Sequence, residues 1–401
     1  MYPSHTTLAE RQVPLCDFTP RTGRPKVVRV VTRLNIGGPT LHTLLLTRDL
    51  RAYRTVLVAG SCEPADGDMR YLVRAGDPVR ELSDLSRSVH PWRNLKALWR
   101  LWRLLRRERP AIVHTHTAMA GCLGRLAAVL SGVPIIVHTF HGNSLAEYFS
   151  PVKAAIFRRI EQSLARFTDA ICVVSPQQAG ELSAHFRIAP AHKFRVIPLG
   201  LDLDDYLALR PPAPSGPLTI GWFGRMVPVK NVPLLAATIE QTLAGRADIR
   251  FLIAGDGPDG AALAAMLARY PDRVEWLGWQ REILPFIARC HALLQTSRNE
   301  GTPVALIQGM AAARPFVSTA VGGVVDMVSN GSAIHGILAE SNAAALAAAL
   351  RALADDRDRL SRMGLAARAF AARHYRKETL VANMDALYRE LLQSRSAACT
   401  F

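Results

Sequence analysis

The chain alternates short apolar runs with longer stretches in which apolar residues recur every three or four positions. Runs of four to six residues, rich in Val and Ile, fall at 27–31, 55–59, 111–114, 134–138, 170–174 and 194–197. Such runs read as strands buried on both faces, and the helical-period stretches between them read as crossovers. A proline-rich segment at 211–217 interrupts the pattern and marks a stiff connector. The alternation then restarts with LTIGWFG at 218–224, passes through RFLIAGDGP at 250–258 and the run at 292–295, and continues to about 339. Residues 343–373 read as an Ala/Arg-rich helix and 376–394 as a final helix. Strand, Gly-bearing loop and helix in repetition predict an α/β protein with a doubly wound parallel sheet in each half.

The loops that end these runs carry the candidate chemistry. After 292–295 the chain reads TSRNEGTPVALIQGM, which sets Glu300 ahead of a helical pattern starting near Val304, with Pro303 suited to the first turn. Unpaired N–H groups at a helix start attract anions, and a carboxylate beside them accepts hydrogen bonds from hydroxyls. In LTIGWFGRMVPVK a strand ends in Gly224 and Arg225, with Lys230 five residues on. A forked guanidinium and a compact ammonium suit a pyrophosphate. The chain holds no Gly-x-Ser-x-Gly elbow, Walker lysine loop or full Gly-x-Gly-x-x-Gly fingerprint, so hydrolase, NTPase and dehydrogenase readings fall away.

In order along the chain stand GGPTLHTLLL (37–46), HTHTAMAG (114–121), HTFHG (138–142), VVSPQQAGEL (173–182), VIPLGLDLDDY (196–206), GRMVPVK, IAGDGP and the Glu300 stretch. This ordered set, spanning about 27–388, resembles the family-four retaining glycosyltransferases. The resemblance implies the GT-B fold: two facing Rossmann-like domains, a cleft between them and a C-terminal helix crossing back. It divides the chain into a loose arm (1–25), an acceptor domain (26–210), the connector (211–217), a nucleotide-sugar donor domain (218–375) and the returning helix (376–401). It implies that Arg225 and Lys230 grip the donor diphosphate, that Glu300 contacts the donor sugar, and that His141 lies near that sugar. The donor-binding set extends to Gly37, Gly38, Gly224, Gly301, Thr302, Val304 and Gln308. Two positions depart from the family pattern. Gln308 stands where a second glutamate normally accepts hydrogen bonds from the ribose, and Ala313 stands where glycine is usual.

The implied reaction is metal-independent transfer of a hexosyl or N-acetylhexosaminyl group, with no cofactor. The donor is a nucleotide diphosphate sugar, with UDP the leading base, and the acceptor is a hydroxyl, with lipid-linked glycans of the cell envelope the leading class. The alternatives are a non-catalytic nucleotide-sugar-binding partner subunit, favoured by Gln308, and a GT-B nucleotide-sugar epimerase.

Charge adds a candidate surface. The net charge is +16; residues 1–200 hold 28 Lys/Arg against 14 Asp/Glu, whereas 201–401 hold 21 against 19. The densest part, HPWRNLKALWRLWRLLRRERP (90–110), places Leu95, Leu98, Trp99, Trp102 and Leu105 on one helical face with arginines around them. It reads either as a crossover helix packed on its sheet or as a helix lying on an anionic membrane. No nucleic-acid reader motif accompanies the charge, so nucleic acid is not an expected partner. The first 25 residues lack the apolar middle of a secretory signal, and six scattered cysteines suggest neither disulfides nor zinc. The expected location is therefore the cytoplasm, with a peripheral place on the inner membrane face. His114, His116, His138 and His141 fall at strand ends without a carboxylate at ligand spacing, and no metal is expected there. Asp202-Leu203-Asp204 reads as an acid pair capping a turn, not as a metal-binding Asp-x-Asp.

Overall fold

The computed structural model describes residues 23–62, 67–142, 151–213, 215–260, 263–264, 268–329, 331 and 333–398. Most of the N-terminal arm, residues 143–150, Cys16, Pro214 and Cys399 lie outside the described residues.

The first sheet has seven parallel strands in the order β3-β2-β1-β4-β5-β6-β7. They are β1 (Lys26–Val31), β2 (Arg54–Ala59), β3 (Val79–Glu81), β4 (Ile112–His116), β5 (Ile135–Phe140), β6 (Ala170–Val173) and β7 (Phe194–Val196). The second sheet, also parallel, runs β10-β9-β8-β11-β12-β13. Its strands are β8 (Leu218–Phe223), β9 (Ile249–Ala254), β10 (Val274–Trp276), β11 (Ala292–Gln295), β12 (Phe316–Thr319) and β13 (Gly336–Ala339). In each sheet the order reverses beside the first strand, so a crevice opens at the carboxyl ends of the neighbouring strands, where doubly wound sheets bind ligands. Two Rossmann-like sheets facing across a cleft make this a GT-B fold.

The chain crosses between the halves twice, at one place. Leu201 N donates to Tyr375 O at 2.8 Å, and Lys377 N donates to Leu201 O at 2.8 Å. Leu199, Leu201 and Leu203 already belong to the apolar core of the second half, so the crossing precedes the proline-rich stretch by about ten residues. Asp202 and Asp204 cap no helix start through their side chains. They pair instead with Lys377 (2.7 Å) and Arg376 at the return crossing. The helix Lys377–Ala398 then lays Leu380, Met384, Leu387 and Tyr388 into the core beneath β1, β4, β5 and β6.

Two helical expectations change. The stretch expected as one helix over 343–373 is two, Ala343–Asp355 and Arg357–His374, because the Asp356 side chain accepts from Arg359 N at 2.8 Å and restarts the helix. In the helix Pro91–Glu108 the buried line is Ala97, Leu101 and Leu105, an i, i+4, i+8 row, with Leu98 and Trp102 half-buried. Leu95 and Trp99, expected on the packed face, point outward at 56% and 50% exposure. No helix among the described residues is long and apolar enough to cross a membrane, and Cys62, Cys122, Cys172 and Cys290 form no disulfide.

Candidate active site

Loops after β1, β4, β5, β8, β9, β10 and β11 enclose one cavity of about 670 Å³, within the size range of small-molecule sites. The resemblance's site residues His141, Arg225, Lys230, Glu300, Gly37, Gly38, Gly224, Gly301, Thr302, Val304 and Gln308 all line it.

The C-terminal half builds a charged wall. Lys230 closes a single turn, Pro228–Lys230, after β8, and its Nζ donates to Glu300 Oε1 at 2.5 Å. Gln295 Nε2 and Ser297 Oγ donate to the same oxygen at 2.5 and 2.6 Å. Three donors thus occupy Oε1, while Oε2 makes no hydrogen bond with any described residue. Thr296 Oγ1 donates to Lys230 O at 2.9 Å and Arg298 N to Val229 O at 2.8 Å, which ties the two loops together. Arg225, also on the cavity, makes no hydrogen bond or ion pair with any described residue, so its fork of donors is open to a ligand.

Behind these side chains starts the helix Val304–Ala311, with Pro303 at its N-cap and no side chain covering its first N–H groups. Across the cleft begins the helix Gly38–Asp49, whose N-cap Gly37 has φ 150°. A Cβ on Gly38 would come within 3.5 Å of the Val304 side chain, so two helix starts face each other. The loops meet closely enough to exclude side chains. A Cβ on Gly301 would lie 2.2 Å from the His141 carbonyl oxygen, and one on Gly322, at φ 48°, would lie 1.9 Å from the Glu300 carbonyl oxygen. Gln177 N donating to Asp326 Oδ2 at 2.9 Å, and Thr302 Oγ1 to Val174 O at 3.3 Å, complete the bridge between halves.

The N-terminal half sets a neutral histidine cluster into its wall, alongside Arg33 and Arg87. His141 follows β5 and shares a 3.0 Å hydrogen bond between its Nε2 and His116 Nδ1. His42, from the helix Gly38–Asp49, brings its ring centroid within 4.9 Å of His141 and 5.5 Å of His116. His114 packs against His116 at 4.1 Å and bonds Tyr388 OH and Thr139 Oγ1 at 2.6 and 2.7 Å. Burial pushes His141 down to about 3, and burial first, with neighbouring cationic groups second, holds His42, His114, His116 and His138 well below the usual imidazole range. The whole cluster is neutral at physiological pH.

One nitrogen from each of His42, His116 and His141 lies within 4.8 Å of the others, a spacing that could gather around a metal ion. Among the described residues no carboxylate joins the three, and the fully buried Arg29 guanidinium adds repulsion against a dication. His42 escaped the sequence reading; its signal is a lone imidazole inside the apolar helix TLHTLLL. Gln295 and Ser297 escaped it too, because their part in the site is to hold Glu300. The remaining acid on the cavity, Glu161, pairs with the buried Arg125 at 2.5 Å.

Comparison with known proteins places this geometry. Residues 37–200 match the family model described as glycosyl transferase 4-like domain, and 217–356 match glycosyl transferases group 1. Over 275 residues the chain is 26% identical to the UDP-Gal:alpha-D-GlcNAc-diphosphoundecaprenol alpha-1,3-galactosyltransferase of Escherichia coli, covering 64% of this chain and 70% of that one. It is 24% identical over 387 residues to the alpha-maltose-1-phosphate synthase of Mycolicibacterium smegmatis, covering 86% and 94%. Among solved structures, Anabaena HepE in complex with UDP and glucose superposes with a TM-score of 0.74 at 19% identity over 91% of this chain and 99% of that one. Fold and cleft define a GT-B transferase. The chain belongs to the group 1 glycosyltransferases and is an enzyme that draws on a nucleotide-sugar donor.

Proposed function

We propose that the chain transfers a hexosyl or N-acetylhexosaminyl group from a UDP-sugar to a hydroxyl of a lipid-linked or cell-envelope glycan, with retention at the anomeric carbon and without a metal ion. The half built on β8–β13 serves the donor and the half built on β1–β7 the acceptor. The observation that carries this reading is Arg225, without a partner among the described residues, beside the Lys230–Glu300 pair and the open helix start at Val304, all facing the neutral His141 across one cavity. UDP is favoured because it is named for both the Escherichia coli relative and HepE, and the lipid-linked acceptor because the former acts on a diphosphoundecaprenol.

As the bond from the anomeric carbon to the β-phosphate oxygen breaks, negative charge grows on that phosphate. Arg225, Lys230 and the amides near Gly38 and Val304 bind it more tightly then than in the ground state. Glu300 Oε2 accepts from the sugar hydroxyls. His141, neutral, contacts the sugar without repelling the positive charge that develops at its anomeric carbon. The acceptor oxygen bonds that carbon on the same face, and its proton passes to the departing phosphate, so no separate base is needed.

The test is thermal shift of the purified protein with UDP, GDP and ADP. UDP near 100 Kd adds about 2.7 kcal/mol of stability. Arg225→Ala abolishes the shift and lowers kcat/KM by on the order of 10²–10³. EDTA leaves both unchanged. Wild-type rates in the variant, or activity lost to EDTA and restored by Mn²⁺, would overturn the assignment.

The acceptor class also fits the surface of the first half. Trp92, Leu95 and Trp99 are exposed along the arginine-rich helix Pro91–Glu108, with Val89 exposed just before it and Arg103 over the Trp99 ring at 4.7 Å. Exposed aromatics beside basic side chains suit an anionic bilayer surface. Cosedimentation with phosphatidylglycerol vesicles, weaker with phosphatidylcholine and lost on Trp92→Ala/Trp99→Ala, is the expected outcome; equal pelleting of the double variant counts against it.

A further inference from the structure

The helix Pro151–Ala165 serves two pockets from two faces. Phe157 and Glu161 turn to the cleft cavity, whereas Arg158, Arg159 and Gln162 line a second pocket of about 450 Å³ that shares no lining residue with the first. The other wall of this second pocket comes from a distorted helix end. The helix Pro176–Gly180 continues as one π-helical turn, Glu181–His185, closed by Phe186 N donating to Glu181 O at 3.0 Å. Arg187 follows in the left-handed region at φ 52°, a conformation that side chains rarely adopt. Gln162 Nε2 donates to Arg187 O at 3.0 Å and ties the two walls together. The turn thereby brings His185 and Arg187 to the pocket that Arg158 and Arg159 line.

Three guanidiniums therefore line one pocket, with no carboxylate among its described lining residues. The side chains of Arg158, Arg159 and Arg187 make no hydrogen bond or ion pair with any described residue. Like charges gathered in this way repel one another, and an anion with several oxygens relieves the repulsion while accepting from each fork. We infer that this pocket is an anion site, separate from the cleft, that takes a phosphate monoester or inorganic phosphate. A phosphate directs its oxygens tetrahedrally and can meet separate guanidiniums, whereas the two oxygens of a carboxylate lie in one plane. Two sources carry that chemistry, free phosphate and the headgroup of an anionic lipid. Val152 and Ile156, one turn apart on the same helix, are exposed, so apolar side chains stand near the basic ones as a lipid headgroup site requires. The site stands independently of the donor reading, because none of its residues lines the cleft cavity.

Thermal denaturation in inorganic phosphate against chloride at matched ionic strength tests the site. Phosphate bound to the native fold raises the Tm. Arg158→Gln/Arg187→Gln should reduce that rise, and should remove the same amount from it in Arg225→Ala protein, where the cleft's own hold on phosphate is weakened. Arg106→Gln/Arg107→Gln, an equal loss of charge on an exposed part of the same half, should remove none. Flotation with vesicles of matched surface charge, holding either phosphatidic acid or phosphatidylglycerol, distinguishes the sources. A lipid occupant gives wild type a preference for the phosphate monoester of roughly tenfold, erased in Arg158→Gln/Arg187→Gln; a phosphate-dependent Tm without that preference assigns the site to free phosphate. A pocket variant that matches the Arg106/Arg107 control in its phosphate response, and wild type in its lipid preference, overturns the inference and leaves the donor reading intact. A phosphate response lost entirely in Arg225→Ala places the anion in the cleft and overturns it as well.

Discussion

The two walls of the cleft solve opposite electrostatic problems. The C-terminal wall keeps its charges: Lys230, Gln295 and Ser297 all converge on one oxygen of Glu300, while Arg225 meets no partner among the described residues. The histidine cluster of the N-terminal wall removes charge by burial: His42, His114, His116 and His138 are fully buried, and His141, half-buried at the cavity, packs on them as a neutral imidazole. Several of their nitrogens, including both of His42 and Nε2 of His116, have no hydrogen-bond partner among the described residues. The difference follows the proposed division of labour. The departing diphosphate is anionic and calls for fixed cations, whereas the sugar and the acceptor hydroxyl call for polar groups that do not oppose positive charge at the reacting carbon.

The largest effect is expected on the charged wall. Glu300→Gln keeps an oxygen that can hold the three converging donors, but its second end becomes an N–H that donates into the cavity. The sugar hydroxyls lose their acceptor and Lys230 loses its counter-charge. A hydrogen bond to a charged group contributes about 1.5–3 kcal/mol, so kcat/KM should fall by roughly 10–150-fold. Steady-state kinetics within threefold of wild type would remove Glu300 from sugar binding and leave the Lys230 pair a structural one.

How far each wall could be read from sequence depends on how local its parts are. Glu300, Arg225 and Lys230 sit in loops that directly follow strands, and strand ends were legible because Val/Ile-rich runs are hard to mistake: β11 falls at 292–295 as expected, and β1 and β2 begin one residue early. The edge strands β3 and β10, three residues each, were too short to show a pattern. The face of the helix Pro91–Glu108 was misread because apolar residues surround much of it, and only the neighbouring sheet and the helix Ala118–Ser131 decide which row is covered. The neutral wall was legible only in part, since His42 arrives from a helix some seventy residues before His116 in sequence. Tyr206 and Gln308, 102 positions apart, meet only because the chain crosses between domains at Leu201. Ala313 shows the converse: it takes a left-handed turn at φ 59°, a conformation that costs a side chain about 1–2 kcal/mol, and the fold accepts that strain at the end of the helix that carries Gln308.

The neutral wall makes a prediction about pH that the charged wall does not share. Each buried imidazole has a folded pKa below its unfolded value of about 6.5. Its contribution to stability is therefore complete above that pH and is lost as the pH falls, because the unfolded chain takes up protons that the native fold refuses. For His141, held near 3, acidification to pH 5 removes on the order of 2 kcal/mol, and the other four imidazoles act in the same direction. Chemical denaturation at pH 7.5, 6 and 5 should show stability falling steeply below pH 6.5. His141→Gln, which cannot titrate, should flatten that fall by about one proton. An unchanged slope in the variant would mean that His141 is protonated in the native protein, and the wall proposed to face the sugar would then carry the positive charge that its burial argues against.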